Sequence, residues 1–431
     1  MSRSAGLRVL MLVWTGVATD TRVLREATAL VSAGHQVHII GRGVPSDFVP
    51  PEGITVASAG QPPRAQGRTR TLSAPERLIR WLLLPEHVDR RLRTWIEQAR
   101  DLAQSWAGEH TAPDVIHAHD YTTLALAGEL AQRWSVPFIY DSHEYWRGRP
   151  IEGRPTPLRA RREARVESVV GGRAAAVITV GEGVARALRR DHPHWPRIAV
   201  VRNTFAAEDA GSGPASGGAA AGAGDAGGGP SGGGAGGPAG AVYAGRLARD
   251  RELETIAAAS ERTDLPVLLM GPADESWLAG FDPGRCTVLG PEPMAEVSRR
   301  LQAAGIALVT HSDAWENHRL ALPNKLFHAL SLGVPVVATD VGELAGAVQA
   351  YDCGLLYPPG DAAALAAAIE GVRARHDYYA GRARAARSEA SWSRDEEVLL
   401  GVYAVVSRRA ADSDPDPLET IGEADESERH E

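Results

Sequence analysis

The stretch LPNKLFHAL, residues 322–330, holds Lys325, the single lysine in a chain with 46 lysines and arginines. Lysine is a compact point charge on a flexible stem, suited to a phosphate group where a planar guanidinium fork does not fit. Upstream, the strand-like AVYA (241–244) runs into GRLARDR, which places Arg246 and Arg251 in one loop ahead of a helix. Two cations there suit a diphosphate, and the alternative is a solvated surface loop. In the first half, His119 follows the strand-like DVIHA, where a ligand-facing role competes with that of a core or capping histidine. Gly16, Asp20 and Arg22 lie in the first strand-to-helix loop, and His143 and Glu144 follow a later strand. Asp20 also has the residue type and place of a helix N-cap.

No single motif carries a function alone. GRG at 41–43 has glycines but no helix opening directly on it, and neither domain carries a clean G-x-G-x-x-G or a Walker loop. No D-x-D loop or other metal-ligand spacing stands out, so no metal is expected. Cys286 and Cys353 are far apart and unflanked by further ligands, which fits a reducing compartment.

The elements that must position these residues follow from hydrophobic patterning. RVLMLV (8–13) leads through a loop to a helix in which Val23, Leu24, Ala27, Leu30 and Val31 share a face. Gly34 then ends that helix, and QVHII (36–40) is the next strand. In the second half AVYA, PVLLM (266–270), CTVL (286–289), IALVT (306–310), VPVVA (334–338) and GLLY (354–357) alternate with helical stretches. Short apolar strands alternating with helices indicate parallel sheets covered on both faces. Two doubly wound α/β domains follow, with ligands expected beyond the carboxyl ends of the strands, in the cleft between them.

The division is an N-terminal domain at 1–205, a Gly/Ala-rich flexible linker at 206–240 and a second domain at 241–392. A C-terminal helix over 393–409 is expected to return to the first domain, followed by a disordered acidic tail at 410–431. That tail carries nine acidic residues against Arg429, which accounts for the whole net charge of -8. The body is therefore formally neutral, which disfavours a nucleic-acid partner. No apolar run reaches the length of a membrane span and the N-terminus lacks a signal-peptide pattern, so the expectation is cytoplasmic. Within residues 70–95, Trp81 to Leu84 stand among arginines. That stripe suits either packing on its own domain or a peripheral membrane contact that collects a lipid-linked acceptor.

Taken together, these stretches resemble the retaining glycosyltransferases of family four, which have the two-domain GT-B fold. The carrying segments are AGRLARDRELE (244–254), HSDAWENHRLALPNKLFHALSLGVPVVATDVGEL (311–344) and CGLLYPPGDAAALAAAI (353–369). In the first half TDTRVLREATALVSAGHQV, DVIHAHD, FIYDSHEYW, VITVGEGVARAL and VVRN fall where that family has similar segments. The resemblance implies transfer of a sugar from a nucleotide-diphosphate donor, most simply a UDP- or GDP-sugar, to a small-molecule, glycan or lipid-linked acceptor hydroxyl. It implies neither cofactor nor metal. Arg246, Arg251, Asn324 and Lys325 would then face the donor diphosphate, with Gly16 bringing backbone amides towards it. His119 would contact the transferred sugar with Asp20 beside it as a catalytic residue, and Arg22, His143 and Glu144 would serve the acceptor or sugar side. The chain departs from the family where two glutamates are expected. His328 stands in place of the glutamate that contacts the ribose, and Leu320 in place of the one that contacts the sugar. Glu316 or Asn317 is the expected substitute for the latter. Two other readings share the architecture, namely a sugar-nucleotide epimerase and a non-catalytic relative acting as a binding or partner subunit.

Overall fold

The computed structural model describes residues 6–60, 74–149, 157–205, 237–249 and 251–412, with backbone alone over 74–89, 157–158 and 409–412. Most of the proposed linker (206–236) and tail (413–431) lie outside the described residues, as do the side chains of the Trp81 to Leu84 stripe. The first half runs β1 (Arg8–Leu12), α1 (Thr21–Ser32), β2 (Gln36–Arg42), β3 (Ile54–Ala59), α2 (Ala74–His110), β4 (Val115–His119), α3 (Asp120–Trp134) and β5 (Phe138–Ser142). After a 3-10 turn at Trp146–Gly148 come α4 (Pro157–Gly171), β6 (Ala176–Thr179), α5 (Glu182–Asp191) and β7 (Ile198–Val200). The second half begins with β8 (Gly240–Ala244), α6 (Leu253–Ser260), β9 (Val267–Met270), α7 (Glu275–Leu278), β10 (Thr287–Leu289), α8 (Met294–Ala304) and β11 (Gly305–Val309). It continues through α9 (Glu316–Leu320), α10 (Asn324–Leu332), β12 (Val336–Thr339), α11 (Gly342–Tyr351), β13 (Gly354–Tyr357), α12 (Ala362–Ala374), α13 (His376–Ala386) and α14 (Trp392–Asp412).

Each half forms one parallel sheet. The first has strand order β3-β2-β1-β4-β5-β6-β7 and the second β10-β9-β8-β11-β12-β13. β1 pairs in parallel with both β2 and β4, Val9 facing Val37 and Val115, and β8 pairs the same way with β9 and β11. The order therefore reverses between β1 and β4 and again between β8 and β11. At such a switch point the crossovers diverge to opposite faces, which opens a crevice at the strands' carboxyl ends. Apolar clusters cover both faces of each sheet. Leu10, Leu12, Ile116 and Tyr140 point to one side of the first sheet, while Val9, Met11, Ile39 and Ile139 point to the other. The alternation along β1 shows the period of two directly.

The chain crosses between the domains twice, side by side. Phe205 bridges to Ser391, and Trp392 donates its backbone N–H to the Phe205 carbonyl at 3.2 Å. Asp395, in the first turn of α14, accepts from the Arg202 backbone N–H at 3.1 Å and from the Thr204 hydroxyl at 2.5 Å. α14 then lies on the first domain, where Trp392, Leu399, Tyr403 and Val406 complete the core that contains Val9 and Met11.

Candidate functional site

On the first-domain wall, the loop Val13–Asp20 leaves β1 and His119 ends β4, so both stand at the first switch point. The chain is strained here. Val17 has φ 60 and Asp120, directly after His119, has φ 64, values that L-residues adopt rarely and β-branched ones least. Asp20 caps α1, accepting from the Val23 N–H at 3.2 Å and the Thr15 hydroxyl at 2.8 Å. Gly16 sits in the same loop, where an added Cβ would come no nearer than 3.9 Å to its neighbours, so packing alone does not demand glycine.

Behind the loop is a buried charged centre. Asp141 at the end of β5 takes a bidentate pair from Arg22, 2.9 Å from Nε and 2.8 Å from an outer nitrogen. Arg22 also bonds the Val201 carbonyl at 2.8 Å, Asn203 at 3.1 Å and Glu26 at 3.0 Å. Asp141 further accepts from His143 Nε2 at 3.0 Å and lies 3.3 Å from His119 Nδ1. Burial by itself would raise the Asp141 carboxyl, but Arg22 and His143 outweigh it and hold the group well below the usual carboxylate range. Burial would likewise lower His143, yet Asp120 and Asp141 raise it to about 10, so it is an imidazolium at neutral pH. His119 goes the other way. Burial and the adjacent His117, stacked on it at 4.2 Å, push it far below its ordinary value and keep it neutral. Burial raises Glu26 towards its protonated form. Donor atoms of Glu26, His117, His119 and Asp141 lie within 4.8 Å of one another, a metal-like set. The Arg22 guanidinium already bonds both of its carboxylates and occupies the role of the cation.

The second-domain wall is built at the β8/β11 switch point. Lys325 is the second residue of α10, with Pro323 as N-cap. Its Nζ stands 4.5 Å over the Tyr243 ring, a cation–π contact. Gly245 makes this placement possible, because a Cβ there would fall 2.4 Å from Lys325 Cε. Burial, then repulsion from Arg251, lowers Lys325 from its ordinary 10.5 to about 7. Among the described residues no carboxylate pairs with it. His311, just beyond β11, is pushed down to about 2 by burial and by Lys325, and its Nδ1 is buried without a partner. Arg246 is exposed at the mouth of the same loop.

The two walls meet at a seam. Asn317 in α9 accepts from the Tyr145 backbone N–H at 3.0 Å and donates to Glu144 at 3.1 Å. Arg190 lies 3.6 Å from Glu316, and Arg186 pairs with Glu343. Leu320 packs on the first-domain core, so an apolar interdomain contact stands where the resemblance expects a carboxylate. A cavity of about 300 Å³ spans the cleft, lined by Thr15, Asp20, Arg22, His143 and Asn203 from one domain and Asn324 from the other. A larger open groove of about 830 Å³ lies elsewhere, between α6 and α7 around Glu254 and Trp277.

The structure thus brings His119, His143 and Asp20 together on one wall and Asn324 opposite them, with Lys325 at the start of the same helix and Arg251 within its electrostatic reach. Four of the expected residues have partners within the protein. Arg22, expected to serve a ligand, is buried and held within its own domain by Asp141, Glu26, Val201 and Asn203. Asn317, expected at the sugar, has its amide engaged across the seam, and Glu316 faces Arg190. His328 is buried on α10 with Nε2 bonded to Ser298 at 2.9 Å and its ring stacked on Phe205 at 4.9 Å, and burial lowers it to about 4. Sequence reasoning missed Asp141, Glu26, His117, Asp120 and His311. The signal for Asp141 was a carboxylate closing the apolar run FIYDS, but nothing local named its partners.

Residues 16–204 match the family described as Glycosyl transferase 4-like domain, and residues 240–374 the one described as Glycosyl transferases group 1. The chain is 25% identical to the glycogen synthase of Mycobacterium tuberculosis over 434 aligned residues, 93% of this chain and 95% of that one. Sucrose-phosphate synthase from Thermosynechococcus elongatus superposes with a TM-score of 0.58 at 17% identity, over 94% of this chain and 98% of that one. HepE of Anabaena in complex with UDP-glucose superposes with a TM-score of 0.59 at 13% identity, over 94% and 100% of the two chains. With both halves matched in order to glycosyltransferase families and the two-sheet arrangement shared almost end to end, the chain is a glycosyltransferase of the GT-B fold.

Proposed function

We propose that the protein moves a sugar from a nucleoside-diphosphate donor to an acceptor hydroxyl, with retention at the anomeric carbon and without a metal ion. The observation that carries the donor side is Lys325, a half-buried ammonium beside Arg251 at a helix start, with no carboxylate partner among the described residues. A diphosphate supplies the missing countercharge. Negative charge grows on that diphosphate as it leaves. Lys325, Arg251, Arg246 and the amides of α10 stabilise it electrostatically in a site partly withdrawn from water. These three cations provide the charge that a divalent ion would otherwise bring, which is the basis of the metal-independent reading.

His119 stands on the opposite wall as a neutral ring with Nε2 unpartnered, able to donate to or accept from one sugar hydroxyl according to its tautomer. His143, charged and anchored by Asp120 and Asp141, places a positive group beside it. Asp20 holds the loop that carries Gly16 towards the diphosphate. His328 keeps Nδ1 free of hydrogen bonds among the described residues, which leaves one contact for a ribose hydroxyl. Uracil is the first base to test, since the Anabaena HepE neighbour is in complex with UDP-glucose. Calorimetric titration of the full chain with UDP, GDP, ADP and dTDP, with and without a chelator, tests the reading. One nucleotide should bind selectively, insensitive to chelator, and Lys325→Ala should weaken it by ~10-fold or more. Absence of binding at millimolar nucleotide would remove the donor-site assignment.

A further inference from the structure

A second cavity, about 330 Å³, opens off the first-domain wall next to His119 and His143. Three buried polar atoms on its lining residues have no hydrogen-bond partner: His119 Nε2, Thr122 Oγ1 and Arg149 Nε. Buried polar groups are nearly always satisfied, so three orphans around one space point to a ligand bearing several polar groups. The volume lies at the lower end of the range for small-molecule sites, about 300–1,000 Å³, which suits one sugar ring with a substituent.

The charge around the cavity narrows the ligand further. Asp120 is matched by the His143 imidazolium at 3.3 Å. Glu163 is matched by Arg159 at 2.8 Å and also accepts from Trp146 Nε1 at 3.0 Å. Arg149 stacks on Trp146, its Cζ 3.1 Å from the ring centroid, and comes no closer than 4.0 Å to Glu163. Its remaining acidic neighbour, Glu144, is raised by burial and by Asp120 to about 7 and is only half ionised at neutral pH. Arg149 is thus fixed in orientation and lacks a full countercharge.

We propose that this cavity receives the acceptor and that the acceptor is a sugar bearing an anionic group, a carboxylate or a phosphate, which Arg149 reads. An acceptor ring hydroxyl satisfies Thr122, while His119 Nε2, at the edge of the same cavity, stays with the transferred sugar, which sets the accepting oxygen beside the donor cleft. The inference rests on the glycosyltransferase reading and names the substrate class of its acceptor side.

The test is calorimetric titration of the full chain, saturated with UDP, using glucose, glucuronate and glucose 6-phosphate as probes. At least one charged sugar should bind ~10-fold or more tightly than glucose, as a charge-assisted contact requires. Preference for glucuronate identifies a carboxylate and preference for glucose 6-phosphate a phosphate. Arg149→Met should reduce the charged sugar to the level of glucose while UDP binding is kept, and Arg149→Lys should restore part of the preference. Thr122→Val leaves every charge in place and should weaken all three sugars. Glucose binding as tightly as both charged sugars, a preference that survives Arg149→Met, or no sugar binding beside intact UDP binding would each overturn the proposal. If another of the four nucleotides binds in place of UDP, the sugars are titrated in its presence; failure of all four to bind overturns the donor reading first and this inference with it.

Discussion

At the scale of single residues, the donor wall is defined by a lysine kept short of its natural charge. Lys325 sits at about 7 because burial and Arg251 disfavour the ammonium, and a bound diphosphate reverses both effects. Well below pH 7 the lysine is charged in free and bound protein alike, and binding takes up no proton. Above pH 7 binding must recharge it. Uptake approaches about one proton at pH 8.5, and affinity falls by up to about tenfold per pH unit until the bound-state value is passed. Titrating UDP in buffers of different ionisation enthalpy reads the uptake directly, and Lys325→Ala should abolish it. A pH-independent affinity between 7 and 9 would contradict this account. Gly245→Ala probes the same lysine from behind, since its methyl falls 2.4 Å from Lys325 Cε. The flexible stem can swing away, so the fold should survive with its melting temperature nearly unchanged while UDP affinity drops ~10-fold or more, as for loss of the charged contact.

At the scale of elements, α14 reaches from the second domain into the charged centre of the first. Tyr403 on α14 shares a 2.8 Å hydrogen bond with His117 Nδ1, and His117 stacks on His119. Burial keeps the phenol protonated, so this contact remains a hydrogen bond throughout the physiological range. Tyr403→Phe removes only the hydroxyl and leaves the imidazole nitrogen buried and unsatisfied. The expected cost is about 1–3 kcal/mol, seen as a lower urea midpoint with unchanged slope. An unaltered midpoint would show that His117 finds another partner. The helix itself was legible, because SWSRDEEVLLGVYAVVSRR carries an apolar stripe at helical spacing. Its docking face was not, because a helix of one domain and the core of another leave no shared local pattern.

At the scale of the whole molecule, closure of the cleft depends on a small seam around α9. Asn317 meets both the Tyr145 backbone and Glu144, and Gly148 lets the 3-10 turn and α9 approach, since a Cβ there would lie 3.1 Å from the Asn317 nitrogen. Asn317→Ala removes both bonds across the seam. Without nucleotide the variant should sample wider openings, seen in solution scattering as a larger radius of gyration, and saturating UDP should bring it back towards the parent value. An identical radius in both proteins would show that the remaining contacts, Leu320 packing, the Arg190–Glu316 and Arg186–Glu343 pairs and the crossing at Asp395, hold the cleft shut without Asn317. Among the described residues no helix is long and apolar enough to cross a membrane.

What the sequence determined by itself is the local layer. The apolar runs marked all six second-domain strands, and the pattern Val23, Ala27, Leu30 marked α1, because burial imposes periods of 2 and 3.6 on neighbouring residues. The lone lysine and the His119 position were visible for a similar reason, since each follows a recognisable element. Tertiary structure alone decided the rest. The strand order that puts a switch point beside His119 depends on crossovers, and the Arg22–Asp141 pair joins residues 119 positions apart. Charge state is equally non-local. Two histidines in one cluster carry opposite charge states because Asp120 and Asp141 outweigh the burial of His143, while burial and His117 dominate at His119. A linear string fixes which groups can ionise, but only their packed distances and loss of water set which ones do.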